Sequence, residues 1–293
     1  MLTIDKKDHL FNTVIYILLS IFVVLIIVPL LFIIANSISS PSLVFQNKVG
    51  LIPQKIDLTV FKIVLSNAYI LRGFGNTILY TFLGTLISVT LTLTASYPLS
   101  RKDFKHRKFL NLIFIITMFF SGGMIPSYLV VDGLGLKDTI WGFILPGCLS
   151  VWNIMVCKSF IYQAIPNELL DAAKIDGCSD AQIFFSIMLP LCKPIIAIMV
   201  LFYAVGYWNS YFNSLLYLSD PKLYPLQRIL SDIIIQNDLT SMVGTSGSLE
   251  NQGQLVKSIQ YVTIIVSSAP ILLLYPFIQK YFQQGMLLGS IKE

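Results

Sequence analysis

The sequence alternates between long apolar stretches and shorter polar connections. Six stretches contain no Asp, Glu, Lys or Arg, at residues 10–47, 73–100, 109–131, 139–157, 194–219 and 258–279. About 20 helical residues cross a hydrocarbon layer roughly 30 Å thick, so each stretch is long enough to cross a membrane once. The stretches are continuously apolar rather than alternating, which favours helices over the strands of a membrane barrel. The pattern predicts an all-α, polytopic membrane protein with six transmembrane helices.

Composition excludes the other broad classes of protein. Of the 293 residues, 55% are hydrophobic and only 12% are charged, and the mean hydropathy is +0.76. A soluble domain carries about 25% charged residues, so this chain lacks the charged surface that soluble domains need. Lys6 and Lys7 precede the first stretch as they would a signal peptide. That stretch is too long for a signal peptide and no small-residue cleavage site follows, so we expect a retained membrane anchor.

Basic residues in the short connections indicate the orientation. Five of them follow the second stretch, at Arg101, Lys102, Lys105, Arg107 and Lys108, whereas the next connection, 132–138, contains only Lys137. We therefore predict that this basic loop, the segment 158–193 and both termini are cytoplasmic, and that 36–75 and 220–257 are extracellular. The net charge of +5 largely reflects this bias and does not indicate nucleic-acid binding.

The sequence offers no catalytic or metal-binding pattern. The four cysteines (Cys148, Cys157, Cys178 and Cys192) form no CxxC pair, and the two histidines, His9 and His106, lie far from them in the chain. We therefore expect no metal, no cofactor and no disulfide framework in this chain. A membrane-embedded enzyme would need a catalytic constellation. A self-contained secondary transporter would show intramembrane ionisable groups and internal repeats. Neither pattern is apparent.

The connection 158–193 gathers acidic residues in an otherwise acid-poor chain, at Glu168, Asp171, Asp176 and Asp180. Asn167 is suited to cap the N-terminus of a short helix, with Glu168 in its first turn. Gly177 fits the left-handed position that ends such a helix. Ser179 or Asp180 can then cap a second helix that runs to Pro190. We predict a short helix, an elbow and a second helix leading into the fifth span.

One side of the short helix carries Leu169, Ala172, Ala173 and Asp176, spaced i, i+3, i+4 and i+7. The small alanines would permit close approach of another protein, and the acidic groups could pair with its basic residues. An amphipathic connector packed against its own chain fits the same residues. The pattern alone leaves both interpretations open.

The spacing in this segment resembles the EAA loop of ABC-importer permeases, which reads EAA, three residues, Gly, nine residues and Ile-x-Leu-Pro. Here the elements are Asp171-Ala172-Ala173, Gly177 and Ile187-Met188-Leu189-Pro190, and Asp171 replaces the usual Glu. The resemblance implies a type I ABC-importer permease fold, in which this helix docks into a cleft of the ATP-hydrolysing subunit. It assigns the contact with the ATPase to Glu168, Asp171, Ala172, Ala173, Asp176, Gly177, Leu189 and Pro190.

Further stretches narrow the resemblance. AAKIDGCSDAQIFF, LPLCKP, FYAVGYWNSYFN and LYPLQ are similar to the carbohydrate-uptake branch, and most closely to the lipoprotein-associated polysaccharide-type permeases of low-GC Gram-positive bacteria. The resemblance implies a non-catalytic subunit that pairs with a second permease, a dimeric ABC ATPase holding ATP and Mg, and an extracellular solute-binding lipoprotein that delivers an oligosaccharide. Peptides or amino acids are the alternative substrates.

The same resemblance divides the chain into three parts. Residues 1–35 form a cytoplasmic N-terminus and the first transmembrane helix, and 36–75 form an extracellular segment. The permease core is 76–293, with the EAA loop at 158–193 and an extracellular loop at 220–257. Gly244 and Gly247 lie in that last loop, which we predict to be flexible and which the resemblance implies could contact the binding protein.

One short motif resembles a sequence found in ABC ATPases. The stretch FSGGM at residues 120–124 resembles the LSGGQ sequence of ABC ATPases, but the chain contains no Gly-Lys pair and so no Walker A loop. We predict that these small residues permit a helix crossing or a local bend.

Sugars require hydrogen-bonding side chains and flat aromatic faces. Trp208, Asn209 and Asn213 meet this requirement, with the two asparagines one turn apart, and Trp152 and Asn153 form a second pair. We predict that these residues line a substrate path. An aromatic belt at the outer membrane interface is the alternative for residues 207–213.

Overall fold

The computed structural model describes residues 6–235 and 255–273. Within those ranges the backbone is helical apart from connecting loops, short 3-10 turns and one isolated β-bridge between Ser39 and Ile56. The helices are α1 (Lys6–Ser37), α2 (Pro41–Phe45), α3 (Thr59–Ser66), α4 (Ala68–Ser100), α5 (Arg107–Phe119), α6 (Met124–Gly133), α7 (Ile140–Ile144), α8 (Val151–Ala164), α9 (Asn167–Ile175), α10 (Asp180–Leu191), α11 (Lys193–Trp208), α12 (Phe212–Tyr217), α13 (Leu226–Ile235) and α14 (Leu255–Leu273).

The described helices account for the predicted number of spans. Three of them, α1, α4 and α14, are each long and apolar enough to cross a membrane. Three bent pairs, α5 with α6, α7 with α8 and α10 with α11, bring the total to up to six if each pair is one span. The predicted sixth span, 258–279, extends past Leu273 into residues outside the described ranges.

The chain divides into two compact units. The first consists of Met1–Leu71 and Asp232–Ala269. Its α1 exposes every side chain from Phe11 to Phe32, as a lipid-facing helix does. The buried residues of this unit include Ala35, Val44 and Val49, with Tyr261 of α14 packed against them.

The second unit consists of Arg72–Ser231 and Pro270–Glu293. Its core is formed by α4, the α7–α8 pair, α10 and α11, and includes the fully buried side chains of Tyr80, Phe143, Ile154, Met188 and Met199. These helices meet along apolar faces, and their polar connections remain outside the core.

Two predicted spans are bent in the structure, and a third is shorter than expected. The third was expected as one helix over 109–131, but α5 and α6 meet at an angle of 112° across residues 120–123, where Gly123 has φ +90°. The predicted local bend at FSGGM is therefore confirmed. The fourth span is bent by 53° between α7 and α8. In the fifth, α11 ends at Trp208 rather than at Ser219, and α12 is a separate helix.

Candidate functional site

Residues 166–191 form a helix, an elbow and a second helix, as predicted. The first helix, α9, starts after Pro166, which occupies the N-cap position, and Asn167 is already helical. The expectation that Asn167 caps this helix was therefore wrong, because the rigid φ of proline already fixes the entry of the chain. Ser179 caps α10 through a reciprocal pair of bonds with Gln182, so Ser179 rather than Asp180 is the cap.

The elbow is the turn from Asp176 to Ser179. Gly177 has φ +79°, and its amide donates to the Lys174 carbonyl at 3.0 Å. The amide of Cys178 donates to the Ala173 carbonyl at 2.9 Å. These two bonds define a Schellman motif, in which a left-handed residue satisfies the last carbonyls of a helix. The predicted position of Gly177 at the end of α9 is confirmed.

The predicted face of α9 is divided between the protein interior and the surface. Ala173 is only 5% exposed and packs into the core of the second unit. Leu169, Ala172 and Asp176 are exposed, and Ile175 beside them is 87% exposed. The helix therefore anchors one alanine inside and presents apolar and acidic side chains outward. The buried side fits the connector interpretation, and the exposed side is accessible to another protein.

An ionic network joins the helices on either side of the elbow to the C-terminal end of α4. The guanidinium of Arg101, the residue after α4, contacts Asp103 through two bonds of 2.6 and 3.0 Å and Asp180 through one of 2.5 Å. The Lys174 ammonium contacts Asp103 at 2.6 Å. Arg101 also donates to the Tyr97 hydroxyl at 2.8 Å. Arg101 and Asp103 thus connect the loop after α4 to α10 and α9, respectively.

The network places a buried cation, Arg101, against carboxylates that balance its charge. The Arg101 side chain is only 8% exposed, although it carries a full charge. Hydrogen bonding to Arg101, and then to Lys174, lowers the pKa of the Asp103 carboxyl. Hydrogen bonding to Asp103 in turn raises the pKa of Arg101. Both groups are therefore charged at neutral pH, and the buried guanidinium is compensated by carboxylates.

The basic cluster in the sequence predicts an orienting role for Arg101 and no role for Asp103. One local feature pointed to the network, since Asp103 is the only acidic residue in positions 101–108. The pairing with Asp180 lies 79 positions along the chain and leaves no local pattern.

A second polar feature lies along α4. Ser88, Thr92 and Ser96 are fully buried and spaced by four, so they occupy one face of the helix. Ser88 shares a 3.1 Å hydrogen bond with the Tyr207 hydroxyl, and Thr92 shares one of 2.7 Å with the Tyr203 hydroxyl. Ser96 donates to the Ile154 carbonyl at 3.1 Å. We call this row of three hydroxyls the α4 ridge, and it links α4 to α11 and α8.

The ridge extends to a close contact at Gly84, four residues before Ser88. A Cβ added at Gly84 would lie 2.6 Å from the ring of Tyr207. The Tyr207 hydroxyl also donates to the Ile144 carbonyl at 3.0 Å, so the ring is held at its far end. The spacing Gly-x₃-Ser-x₃-Thr-x₃-Ser was available in the sequence, and its small and polar members are typical of packed membrane helices.

The structure does not bring the predicted path residues together. Trp208 is buried with its ring edge-to-face against Phe74, at 5.8 Å between centroids. The side chain of Asn209 donates to the Val205 carbonyl at 3.0 Å. Trp152 is exposed, whereas Asn153 beside it is buried. Because α11 ends at Trp208, Asn209 and Asn213 do not share the face of one helix as expected.

Asn213 lies at a small cavity of about 210 Å³ instead. Tyr203, Gly206, Tyr207 and Ser210 line this cavity with it. The cavity therefore adds Tyr203, which lies outside the stretch 207–213, to Asn213 of the predicted path. Gly244 and Gly247, the predicted contacts with a binding protein, lie outside the described residues.

Comparison with known families gives one match that covers most of the chain. A family described as "Binding-protein-dependent transport system inner membrane component" matches residues 82–288. The match includes α9, the elbow, α10 and most of α4, with all three residues of the α4 ridge.

Individual relatives match over almost the whole chain. Protein LplC of Bacillus subtilis is 42% identical, with 91% of this chain and 89% of LplC covered. The polygalacturonan/rhamnogalacturonan transport system permease protein YtcP of the same organism is 40% identical, covering 98% and 99%. Among solved structures, a chain of a bacterial ABC transporter involved in the import of the acidic polysaccharide alginate aligns with a TM-score of 0.85 and 30% identity, covering 96% of this chain and all of that one.

Proposed function

The chain belongs to the family of inner membrane components of binding-protein-dependent transport systems, and we propose that it imports oligosaccharides as one of two permease subunits. The substrate class is supported by the relatives. YtcP is named for polygalacturonan and rhamnogalacturonan, and the structural neighbour is described as importing alginate. Saccharides with uronate groups are therefore the first substrates to test. A peptide or an amino acid would be the alternative.

Transport in such a system needs energy from outside this chain. The partners that we propose are a second homologous permease, a dimeric ABC ATPase that holds ATP and Mg, and an extracellular solute-binding lipoprotein. The permease then alternates between packings that different nucleotide states of the ATPase favour. This chain contributes half of the pathway and the surface that receives the movement of the ATPase.

The coupling role is supported by the two sides of α9, one buried in the permease and the other exposed. Ala173 anchors the helix in the permease core, while Leu169, Ala172 and Ile175 remain exposed. Exposed apolar side chains beside Glu168, Asp171 and Asp176 form a surface suited to a partner with an apolar groove and basic rims. In this proposal α9 is the helix that docks into the ATPase, and Gly177 sets the angle at which it leaves the membrane domain.

The ionic network provides the route from α9 into the membrane helices. Lys174 of α9 is ion-paired with Asp103, and Asp103 is ion-paired with Arg101 at the end of α4. A displacement of α9 is therefore transmitted to α4 through these two ion pairs. Asp180 connects the same arginine to α10, where Leu189 and Pro190 precede α11. Because the contacts are charge-assisted and one partner is buried, the group moves as a unit more readily than separate surface pairs would.

We propose the small cavity at Asn213 as the part of this chain that is closest to a substrate path. Tyr203 and Tyr207 supply aromatic faces, and Ser210 and Asn213 supply hydrogen-bonding groups. Trp152, Asn153, Trp208 and Asn209 are second candidates, since none of them lines this cavity.

A single substitution tests the coupling role. Ala172→Arg places a long cation on the exposed face of α9, where it blocks close approach of the ATPase without disturbing the permease core. Ala68→Arg is the matched control, at an exposed alanine that begins α4. We expect Ala172→Arg to abolish co-purification of the ATPase with the tagged permease and to abolish uptake of labelled oligosaccharide, and Ala68→Arg to retain both. Unchanged recruitment of the ATPase by Ala172→Arg would contradict the assignment of α9.

A further inference from the structure

A basic cavity lies beside the loop that follows α4. Its volume is about 720 Å³, and α5, α8 and the loop contribute to its lining. The basic residues that line it are Lys102, Lys105, Arg107, Lys108 and Lys158. Leu112 and Ile115, further along α5, form an apolar and exposed part of the wall. We call this the basic cavity.

The charges in the basic cavity have no acidic partners among the described residues. The ion pairs of the described residues involve Arg101 and Lys174, and none of the five cations in the basic cavity lies within 4.0 Å of a described carboxylate. Lys158 donates to the neutral amide of Asn111 at 2.8 Å. Lys102 and Arg107 lie over the ring of Tyr162, with distances of 5.6 and 5.8 Å to its centroid. These contacts orient the cations but leave their mutual repulsion uncompensated.

The predicted orientation explains only part of this arrangement. Positive charge on cytoplasmic loops sets topology wherever it lies, and it does not require cations from two helices to converge on one cavity. Lys158 comes from α8 and not from the basic loop, 50 positions after Lys108. An anion bound between α5, α8 and the loop would relieve the repulsion and hold the three elements together.

We propose that the basic cavity binds the phosphate head group of an anionic phospholipid, with an acyl chain along Leu112 and Ile115. A basic pocket at the cytoplasmic ends of membrane helices is suited to such head groups, and the exposed apolar wall of α5 is suited to the chain. Inorganic phosphate shares the head-group chemistry but gains nothing from that wall. The lipid is therefore the ligand that uses the whole cavity.

The test uses the assembled importer, purified in detergent and analysed by native mass spectrometry with phosphatidylglycerol or phosphatidylcholine. The key variant is Lys158→Gln, because it removes a charge from the cavity and leaves the basic loop that sets topology intact. Lys193→Gln removes one exposed charge at the start of α11, outside the cavity, and serves as the control. Lys108→Gln is a second variant at an exposed position, should Lys158→Gln fail to assemble.

We expect the importer to retain phosphatidylglycerol in preference to phosphatidylcholine. Lys158→Gln and Lys108→Gln should each weaken this binding about fivefold, which corresponds to about 1 kcal/mol for each basic residue. Lys193→Gln should leave it unchanged, and excess inorganic phosphate should fail to displace the lipid. Equal retention of both lipids, or equal loss in the variants and the control, would overturn the proposal. Displacement by inorganic phosphate would do the same, because the site would then be a phosphate site.

Discussion

Two glycines show how single residues define the geometry of this permease. Gly177 is required for its backbone, because its φ of +79° is costly for residues with a Cβ. Gly84 is required for its size, because a Cβ there would meet the Tyr207 ring. The first sets the angle of the proposed coupling helix, and the second allows α4 to approach α11. The two substitutions should therefore fail for different reasons.

At Gly177 the expected defect is strain in the backbone. An added Cβ would meet nothing within 4 Å, so no steric clash contributes. We expect Gly177→Ala to destabilise the elbow by about 1 kcal/mol and to lower the oligosaccharide uptake obtained per ATP hydrolysed. Gly177→Asn should cost less, since asparagine tolerates the left-handed region. Thermal unfolding and coupled transport assays measure the two effects, and equal losses in both variants would show that φ is not the cause.

At Gly84 the expected defect is overpacking. The Tyr207 ring is held by Ser88 and the Ile144 carbonyl, so it cannot move aside without losing hydrogen bonds. We expect Gly84→Ala to lower the free energy of unfolding by about 1–3 kcal/mol, measured by thermal denaturation in detergent. Gly75→Ala in the same helix is the control, because a Cβ there meets nothing within 4 Å. A Gly84→Ala protein as stable as the control would show that α4 and α11 separate easily.

At the scale of helices and loops, polar contacts connect elements that also share an apolar core. The α4 ridge ties α4 to α8 and α11 within the apolar region, and the Arg101 network ties the C-terminal end of α4 to α9 and α10. A buried arginine without its carboxylates would be strongly unfavourable, so the contacts of Arg101 with Asp103 and Asp180 keep this end of α4 paired.

The pH dependence of the network follows from Asp103. Its pKa is lowered in the folded protein, so its contribution to stability is present above the unfolded value of about 3.9 and is lost as the pH falls below that value. We expect stability to be independent of this group from neutral pH down to about pH 5. Asp103→Asn should remove the loss of stability in acid that is due to this residue, and Arg101→Lys should reduce it, because lysine cannot form the bidentate contact. Thermal denaturation as a function of pH measures this effect, and an Asp103→Asn profile identical to wild type would contradict it.

At the scale of the whole molecule, the architecture identifies a transport subunit but not its substrate. Apart from Arg101, the buried polar side chains described in the second unit are hydroxyls and the amide of Asn153, and its cavity at Asn213 is small. We expect the binding lipoprotein and the second permease to select the sugar, and we expect this chain to transport the saccharide that they deliver. Reconstituted importer should therefore transport the saccharides that its lipoprotein binds.

A panel of labelled saccharides tests this division of roles. Neutral and uronate-bearing oligosaccharides should be taken up in the order of their affinity for the lipoprotein, and Asn213→Ala should lower uptake of all of them by a similar factor. Amino acids and peptides should not be transported. Selective loss of one saccharide in Asn213→Ala would show that this chain discriminates among substrates, and uptake of peptides would overturn the substrate class.

The sequence by itself determined the membrane class and the helix and elbow at 166–191. Each of these depends on local chemistry: continuous apolar runs, a left-handed glycine and a serine cap act within a few residues of themselves. Only the tertiary structure decided that Arg101 joins Asp103 to Asp180, that Ser88 and Thr92 meet Tyr207 and Tyr203, and that Asn209 and Asn213 separate. Those outcomes depend on which residues distant in the chain become neighbours after packing. The acidic residues of 158–193 illustrate the difference. Their clustering was visible in the sequence, but the contact of Asp180 with Arg101 was not.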